Sequence, residues 1–254
     1  MPAPVTFLEF ARIAMMAYEP AITRAGSFAR FSPMDRRASG FQGAVYRRAN
    51  GGGLDWVVGI AGTQATDTAG ADVVADVGFG GPGASLAAGA VAGAIGTLLP
   101  LGALAGPALG SYASGGSLML EAQCRAAGEL VGNANQVMGR GDRLYVTGHS
   151  LGGGIAQIMA ARYGVPAICF NPPTVTAVPG VVSEYQRTKA SVVCLQVKND
   201  LINRTSAFGN WLGKVLTLPS PRGADTAHFI GPTVEELSPR GAFAILGGKD
   251  PFQA

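Results

Sequence analysis

The first apolar pattern in the chain has helical spacing and lies close to the start. Its apolar positions are Phe7, Phe10, Ile13, Ala14 and Ala17. Residues at such intervals share one face of a helix, so the pattern predicts an amphipathic helix. Two strand-like segments follow at residues 43–47 and 56–61, and three consecutive glycines at residues 51–53 separate them. Short apolar strands joined by a glycine turn predict a β-hairpin.

The second half of the chain alternates between strand and helix patterns. A helical stretch is predicted at residues 117–138, and the segments that follow it are strands at residues 143–147, 165–170 and 191–198 and helices at residues 155–162 and 183–189. Strands that alternate with helices are typical of an α/β fold with a mainly parallel sheet. With 254 residues and no visible linker, we expect a single domain over residues 1–254.

One long segment breaks this pattern because it carries no charge. Residues 77–120 contain no Asp, Glu, Lys or Arg, and residues 84–110 are almost wholly Ala, Gly, Leu, Val and Ile. Three interpretations are open: a mobile apolar lid or acyl channel that contacts lipid, a buried helical hairpin, or a membrane-spanning segment. A span needs about 20 apolar residues, and Pro100 and Pro107 interrupt this segment.

Composition narrows the function classes. Charged residues make up 14% of the chain, against the usual quarter. The net charge of +3 comes from scattered basic residues, so nucleic-acid binding is not expected. Three cysteines and two histidines show no metal-ligand spacing, and we therefore expect no metal and no cofactor.

The N-terminus lacks the basic start of a Sec signal peptide, which favours a cytoplasmic location by default, with export by a dedicated route as the alternative.

The chemistry concentrates at Gly148-His149-Ser150-Leu151-Gly152, between a predicted strand and a predicted helix. This is the G-x-S-x-G pattern of a nucleophile elbow in its expected structural context. The serine must stand on a turn so tight that side chains two residues away would collide, and the glycines Gly148 and Gly152 remove them. Ser150 is therefore the candidate nucleophile. The structural alternative is an ordinary glycine-rich turn between strand and helix.

A serine nucleophile needs a base, and the chain has only two histidines. His149 adjoins Ser150 on the elbow, where successive side chains diverge, so its imidazole is not expected to reach the serine hydroxyl. That leaves His228, which would otherwise be read as an ordinary loop histidine. We therefore predict that His228 is the general base.

The acid should lie between serine and histidine, because α/β-hydrolases carry Ser, Asp or Glu, and His in that order. Three candidates lie in this interval: Glu184, Asp200 and Asp225. Asp200 follows a predicted strand directly, and open α/β sheets build their sites at the carboxyl ends of strands. Asp200 is therefore preferred, and Asp225 is the reserve.

Several motifs follow one another along the chain in a recognisable order. They are FLEFARIAMMAYEP, WVVGIAGTQATDTAGADVVADVGF, the elbow TGHSLGG, CFNPP, and then Asp200 and His228. Together they resemble the class 3 lipase family, the fungal-type triacylglycerol lipases and their bacterial relatives, which have the α/β-hydrolase fold. The resemblance implies that the backbone N–H groups of Leu151 and Thr63 form the oxyanion hole. Ala61 stands where the family usually has arginine. In this family the region of residues 84–110 carries the lid.

The motifs and the resemblance predict a serine carboxylester hydrolase that acts on lipid or long-acyl esters. The residues 84–110 would make transient contact with a membrane or lipid surface. A phospholipase A, a thioesterase or an acyltransferase would use the same triad. From a different class, a membrane-active or interaction protein with a vestigial triad is the alternative.

Overall fold

The computed structural model describes residues 3–62, 108–207, 209–224 and 226–254. Residues 77–107 of the uncharged segment lie outside the described residues, and so do Thr63 and Asp225. Within the described ranges, none of the helices combines the length and the apolarity that a bilayer crossing requires.

The described secondary structure alternates in the way the sequence predicts. The helices are α1 (Phe7–Met16), α2 (Ala108–Val137), α3 (Leu151–Tyr163), α4 (Val181–Thr188), α5 (Ile230–Leu237) and α6 (Ala244–Gly247). The strands are β1 (Arg24–Ala25), β2 (Phe28–Arg30), β3 (Asp35–Arg36), β4 (Gln42–Ala49), β5 (Leu54–Ile60), β6 (Arg143–His149), β7 (Ala167–Phe170), β8 (Val192–Val197) and β9 (Lys214–Leu218). A 3-10 helix covers Leu201–Ala207.

One sheet contains all the described strands, in the order β1-β2-β4-β5-β6-β7-β8-β9, with β3 paired to β4. The pairs from β5 to β9 are parallel, and the pairs among β1 to β5 are antiparallel. The predicted hairpin is β4 and β5, whose register runs from Gly43 opposite Ile60 to Ala49 opposite Leu54. The predicted α/β fold with a parallel central sheet is confirmed.

Helices cover both faces of this sheet, and each face has its own apolar core. Neighbouring residues of β5 divide between the two, since Val57 packs with α1 and α5 while Val58 packs with α2 and α3. Helix α1 begins with a capping box, in which the side chains of Thr6 and Glu9 each bond the backbone N–H of the other residue. Such reciprocal bonds satisfy two N–H groups that have no partner inside the helix. The two cores hold the central strands, and therefore the strand ends, in fixed positions.

The structure corrects one predicted boundary and adds strand β9. Helix α2 begins at Ala108, nine residues before the predicted start, because the Ala- and Gly-rich sequence gives no apolar stripe from which a boundary could be read. Strand β9 was not predicted at all. It pairs with β8 along one side and leaves Val215 42% exposed, so it lacks the buried apolar pattern by which strands are recognised.

Candidate active site

Strand β6 runs directly into the candidate nucleophile. Ser150 separates β6 from α3 and has φ 56° and ψ −129°. Residues other than glycine rarely adopt this backbone conformation. Its N–H donates to the carbonyl of Phe170 at 3.0 Å, and its carbonyl accepts from the N–H of Gly154 at 3.1 Å. These bonds to β7 and α3 hold the strained turn in place, as backbone strain requires.

The elbow glycines make room for this turn. A Cβ at Gly148 would lie 2.3 Å from the carbonyl oxygen of Gly152, and a Cβ at Gly152 would lie 2.4 Å from the carbonyl oxygen of Ile60. Both distances are far below van der Waals contact, and the opposing atoms belong to the backbone. Any side chain at either position would therefore push β5, β6 or α3 apart.

The structure brings Ser150, His228 and Asp200 into one hydrogen-bonded chain. His228 Nε2 lies 2.8 Å from Ser150 Oγ, and His228 Nδ1 lies 2.8 Å from Asp200 Oδ2. An ionised carboxylate only accepts hydrogen bonds, so Nδ1 carries the proton and Nε2 is free to accept the serine hydroxyl. The carboxylate and the hydroxyl are buried, and the imidazole side chain is 24% exposed.

Asp200 is fixed by the turn in which it lies. It comes three residues after the end of β8, where its second oxygen, Oδ1, accepts the N–H of Ile202 at 2.9 Å. The carboxylate therefore points one oxygen at backbone and the other at His228. Glu184, the alternative acid in helix α4, instead lies 3.5 Å from the guanidinium of Arg162, so it has no part in this chain.

Of the two predicted oxyanion donors, the structure describes Leu151. Leu151 is the first residue of α3, and N–H groups in the first turn of a helix have no intrahelical acceptor and lie at the positive end of its dipole. Thr63 is outside the described residues, but Gly62 before it is described. A Cβ at Gly62 would lie 2.8 Å from the Cβ of Ser150. The end of the chain segment that leads to residue 63 thus packs directly against the elbow.

His149 has a position that the sequence did not predict. As expected, no hydrogen bond to Ser150 is found; His149 Nε2 lies 2.6 Å from the carbonyl oxygen of His228, and Nδ1 lies 2.8 Å from the hydroxyl of Tyr18. That hydroxyl also accepts the N–H of Gly62 at 2.8 Å. Burial, together with smaller electrostatic effects of His228 and Arg222, lowers the pKa of His149 to about 3, and the hydrogen bond to the carbonyl of His228 opposes this shift.

The loop that carries His228 is held through its carbonyl groups. Arg222 Nη1 donates to the carbonyl of Thr226 at 3.3 Å and to the carbonyl of Phe229 at 3.2 Å. Asn171 Nδ2 donates to the carbonyl of Ala227 at 3.0 Å, and His149 Nε2 contacts the carbonyl of His228. Because four consecutive carbonyls have side-chain partners, the backbone of the candidate base is fixed before any substrate binds.

Within the described ranges, no group of His, Cys, Asp or Glu side chains is arranged to hold a metal ion. Burial raises the pKa of the Cys124 thiol to about 12 and that of Cys169 well above its ordinary value. Both thiols therefore stay protonated at neutral pH and are poor nucleophiles. Among the described side chains that could act as nucleophiles, Ser150 alone has a base within hydrogen-bond distance at a strained turn.

No protein-family model matches the sequence, and no curated protein is significantly similar. Solved structures are similar in fold. Lipase II from Rhizopus niveus superposes with a TM-score of 0.50 at 15% identity, over 87% of this chain and 81% of that one. A lipase from Rhizopus microsporus var. chinensis gives 0.48 at 15% identity over 94% and 83% of the two chains. The Rhizomucor miehei lipase propeptide complex, as a deletion mutant, gives 0.48 at 15% over 96% and 78%.

The likeness to the Rhizopus niveus lipase shows the fold. The protein has an α/β-hydrolase fold, with a central parallel sheet flanked by helices and a strained turn at Ser150 between strand β6 and helix α3. At 15% identity a shared fold leaves the reaction to be argued from the site itself.

Proposed function

We propose that the protein is a serine carboxylester hydrolase of the lipase or esterase type, which cleaves lipid or long-acyl esters. The observation that carries this proposal is the chain of two 2.8 Å hydrogen bonds from Ser150 through His228 to Asp200. A serine, an imidazole and a carboxylate in this order are the groups that acyl transfer through a covalent intermediate needs. The fold shared with a fungal lipase is in keeping with such a reaction.

In the first half of the proposed reaction, Ser150 Oγ attacks the ester carbonyl carbon while its proton moves to His228 Nε2. Asp200 stays ionised and stabilises the imidazolium that forms. The carbonyl oxygen becomes an oxyanion at the N-terminus of α3, where the N–H of Leu151 would donate to it, with Thr63 as the proposed second donor. Loss of one such donor typically raises the barrier by about 2.7–4 kcal/mol.

In the second half, the tetrahedral intermediate collapses and the bond to the alcohol oxygen breaks. The alcohol leaves with the proton from His228 Nε2, so Ser150 remains acylated. Water then gives a proton to the same nitrogen and attacks the acyl carbon. The bond between that carbon and Ser150 Oγ breaks, His228 Nε2 returns the proton to Oγ, and the carboxylic acid leaves. Apart from the ester and water, both halves use only groups of this chain.

The substrate class is a second part of the proposal and rests on the fold likeness and on the motifs. Phospholipase A, thioesterase and acyltransferase activities differ from it only in the leaving group or in the acceptor that replaces water. A vestigial triad is less well supported, because the described site keeps the three side chains at bonding distance and the base loop tightly held.

The test combines a probe for the nucleophile with a substrate panel. A fluorophosphonate probe should label the wild type at Ser150 and should fail to label Ser150→Ala. p-Nitrophenyl esters of increasing acyl length, phospholipids and acyl thioesters then define the substrate class. Ser150→Ala should abolish hydrolysis by removing the attacking oxygen, and it should leave the unfolding temperature nearly unchanged because little volume is lost.

A matched control is Ser183→Ala on helix α4, where the hydroxyl donates to the carbonyl of Gly180 at 2.8 Å. This variant should keep wild-type labelling and hydrolysis. If Ser150→Ala retained more than a small fraction of the activity, or if the probe labelled another residue, the assignment of the nucleophile would be wrong.

A further inference from the structure

The hydrogen bonds around His149 have only one consistent direction. A neutral imidazole donates from one nitrogen and accepts at the other. The carbonyl of His228, 2.6 Å from Nε2, can only accept, so Nε2 carries the hydrogen. Nδ1 is then the acceptor and the hydroxyl of Tyr18 donates to it. The oxygen of that hydroxyl in turn accepts the N–H of Gly62.

His149 has to be neutral for this arrangement to serve a reaction at His228. The two imidazole rings lie 4.9 Å apart, centre to centre. In the proposed mechanism His228 becomes positively charged, and a second charge at that distance would oppose it. Full burial of His149, with its lowered pKa, keeps this ring uncharged.

We propose that His149 is a positioning residue, which Tyr18 holds in the Nε2–H tautomer and which fixes the backbone of His228 beside Ser150. The inference rests on the proposed function and deepens it, because it adds residues that act through the base and touch no substrate. The same set of bonds reaches Gly62, which directly precedes the proposed donor Thr63. Tyr18 and His149 thereby link the base to the beginning of the proposed oxyanion loop.

The geometry sets the size of the expected effect. The bond from His228 Nε2 to Ser150 Oγ is 2.8 Å long, and a misplacement of about 1 Å in such a contact can lower the rate about 100-fold. Tyr18→Phe removes the hydroxyl that donates to His149 Nδ1, so the ring loses one of the two contacts that hold it in place. We expect kcat to fall about 10- to 100-fold, with KM within about twofold of the wild-type value.

The chain offers a matched control for this substitution. Tyr46 is fully buried in the same apolar core that Tyr18 packs against, and its hydroxyl has no hydrogen-bond partner among the described residues. Tyr46→Phe should therefore leave kcat and KM unchanged. At His149 itself, glutamine retains an N–H donor close to the position of Nε2 whereas leucine has none, so His149→Gln should keep more activity than His149→Leu.

A spectroscopic measurement reports the tautomer without depending on activity. The chain has two histidines, so its imidazole ¹⁵N spectrum contains two rings, and the ring that disappears in His149→Gln is His149. We expect this ring to show a protonated Nε2 and an unprotonated Nδ1 between about pH 5 and 8. In Tyr18→Phe the ¹⁵N pattern should change at Nδ1, whose resonance should shift because that nitrogen loses its hydrogen bond, and in Tyr46→Phe it should not.

The outcomes separate this inference from the proposed function. If Tyr18→Phe kept both the wild-type kcat and the wild-type ¹⁵N pattern, or if only one of the two changed, the positioning role would be overturned. If Tyr18→Phe failed to fold, equal kcat values for His149→Gln and His149→Leu would overturn the positioning role instead. A wild-type protein with the expected tautomer but without esterase activity would instead overturn the proposed function.

Discussion

Two buried polar clusters lie at opposite ends of the same central strands. At one end, Asp55 near the start of β5 contacts Arg143 at the start of β6. At the other end, β6 leads into Ser150, which His228 connects to Asp200 through two hydrogen bonds. The two carboxylates are equally hidden, since the side chain of Asp55 is 0% exposed and that of Asp200 is 1% exposed. Burial alone therefore does not distinguish a candidate site from a structural cluster.

The partners of the two carboxylates make the difference. Asp55 accepts four hydrogen bonds, one from Asn50 and three from the guanidinium groups of Arg48 and Arg143, between 2.7 and 3.0 Å. Arginine stays protonated at any ordinary pH, so no proton can move through this cluster. Burial acts to raise the pKa of Asp55, but the bonds from Arg143, Asn50 and Arg48 outweigh it and hold this pKa below its usual value.

Asp200 has a partner of another kind. One of its oxygens bonds backbone, and the other bonds an imidazole that continues to a hydroxyl at a strained turn. In the proposed reaction a proton moves between the hydroxyl and the imidazole, and the ionised carboxylate stabilises the imidazolium. The comparison indicates that a buried carboxylate is part of a reactive site when its bonds end in groups that exchange protons, and part of the framework when they end in fixed cations.

The largest expected effect is that of Asp200→Asn. The amide can no longer hold and stabilise a protonated His228, and kcat should fall roughly 10⁴-fold, as in other Ser-His-Asp sites. That loss corresponds to about 5 kcal/mol in the barrier. Steady-state kinetics and thermal unfolding should show low activity in a protein of nearly normal stability.

Asp225→Asn is the matched control for this prediction. Asp225 lies outside the described residues but is the other aspartate close to His228 in sequence. Its substitution should change kcat little. The reverse pattern, an inactive Asp225→Asn beside an active Asp200→Asn, would transfer the role of the acid to Asp225.

Asp55→Asn makes the same chemical change at the other cluster and should have the opposite result. Two guanidinium groups would lose their buried counter-charge, a change that typically costs about 3–5 kcal/mol of stability. The kcat of the folded protein should remain close to wild type, because β5 and β6 still position the elbow. Urea unfolding and kinetics well below the unfolding midpoint measure the two effects. A large loss of kcat in stable protein would show that the clusters are coupled.

The sequence predicts the elbow, the base and the acid from local pattern and chain order, and the structure brings these three side chains within hydrogen-bond distance of one another. The sequence could not show what His149 or Asp55 contacts. Their partners are far away in the chain: Tyr18 is 131 residues from His149, and Arg143 is 88 residues from Asp55. Strand pairing brings Asp55 beside Arg143, and Tyr18 reaches His149 from the turn that follows helix α1. For His149 the sequence offered one indication of a different role, because this histidine was not expected to reach the serine hydroxyl.

A smaller effect is expected from Arg222→Met. This guanidinium holds two carbonyls of the base loop and bonds Glu236 at 3.1 Å. Without it the loop of His228 loses two of its supports, and we expect kcat to fall about 10- to 100-fold. Arg143→Met at the opposite cluster should reduce stability but leave kcat unchanged. Equal kcat values for the two variants would mean that the carbonyl contacts do not position the base.

The smallest predicted effect is a pH dependence confined to the Asp55 cluster. Because the pKa of Asp55 is lowered in the folded protein, its ionised form stabilises the fold fully above the unfolded-state pKa of about 3.9. This contribution is lost as the pH falls through the folded-state pKa. Protonated aspartate and asparagine are both neutral and similar in shape. The difference in unfolding free energy between wild type and Asp55→Asn should therefore be constant from about pH 7 to 5 and then narrow toward pH 3. Urea unfolding at each pH measures it. A difference that stayed constant to pH 3, or widened, would mean that the ionised carboxylate is not what stabilises this end of the sheet.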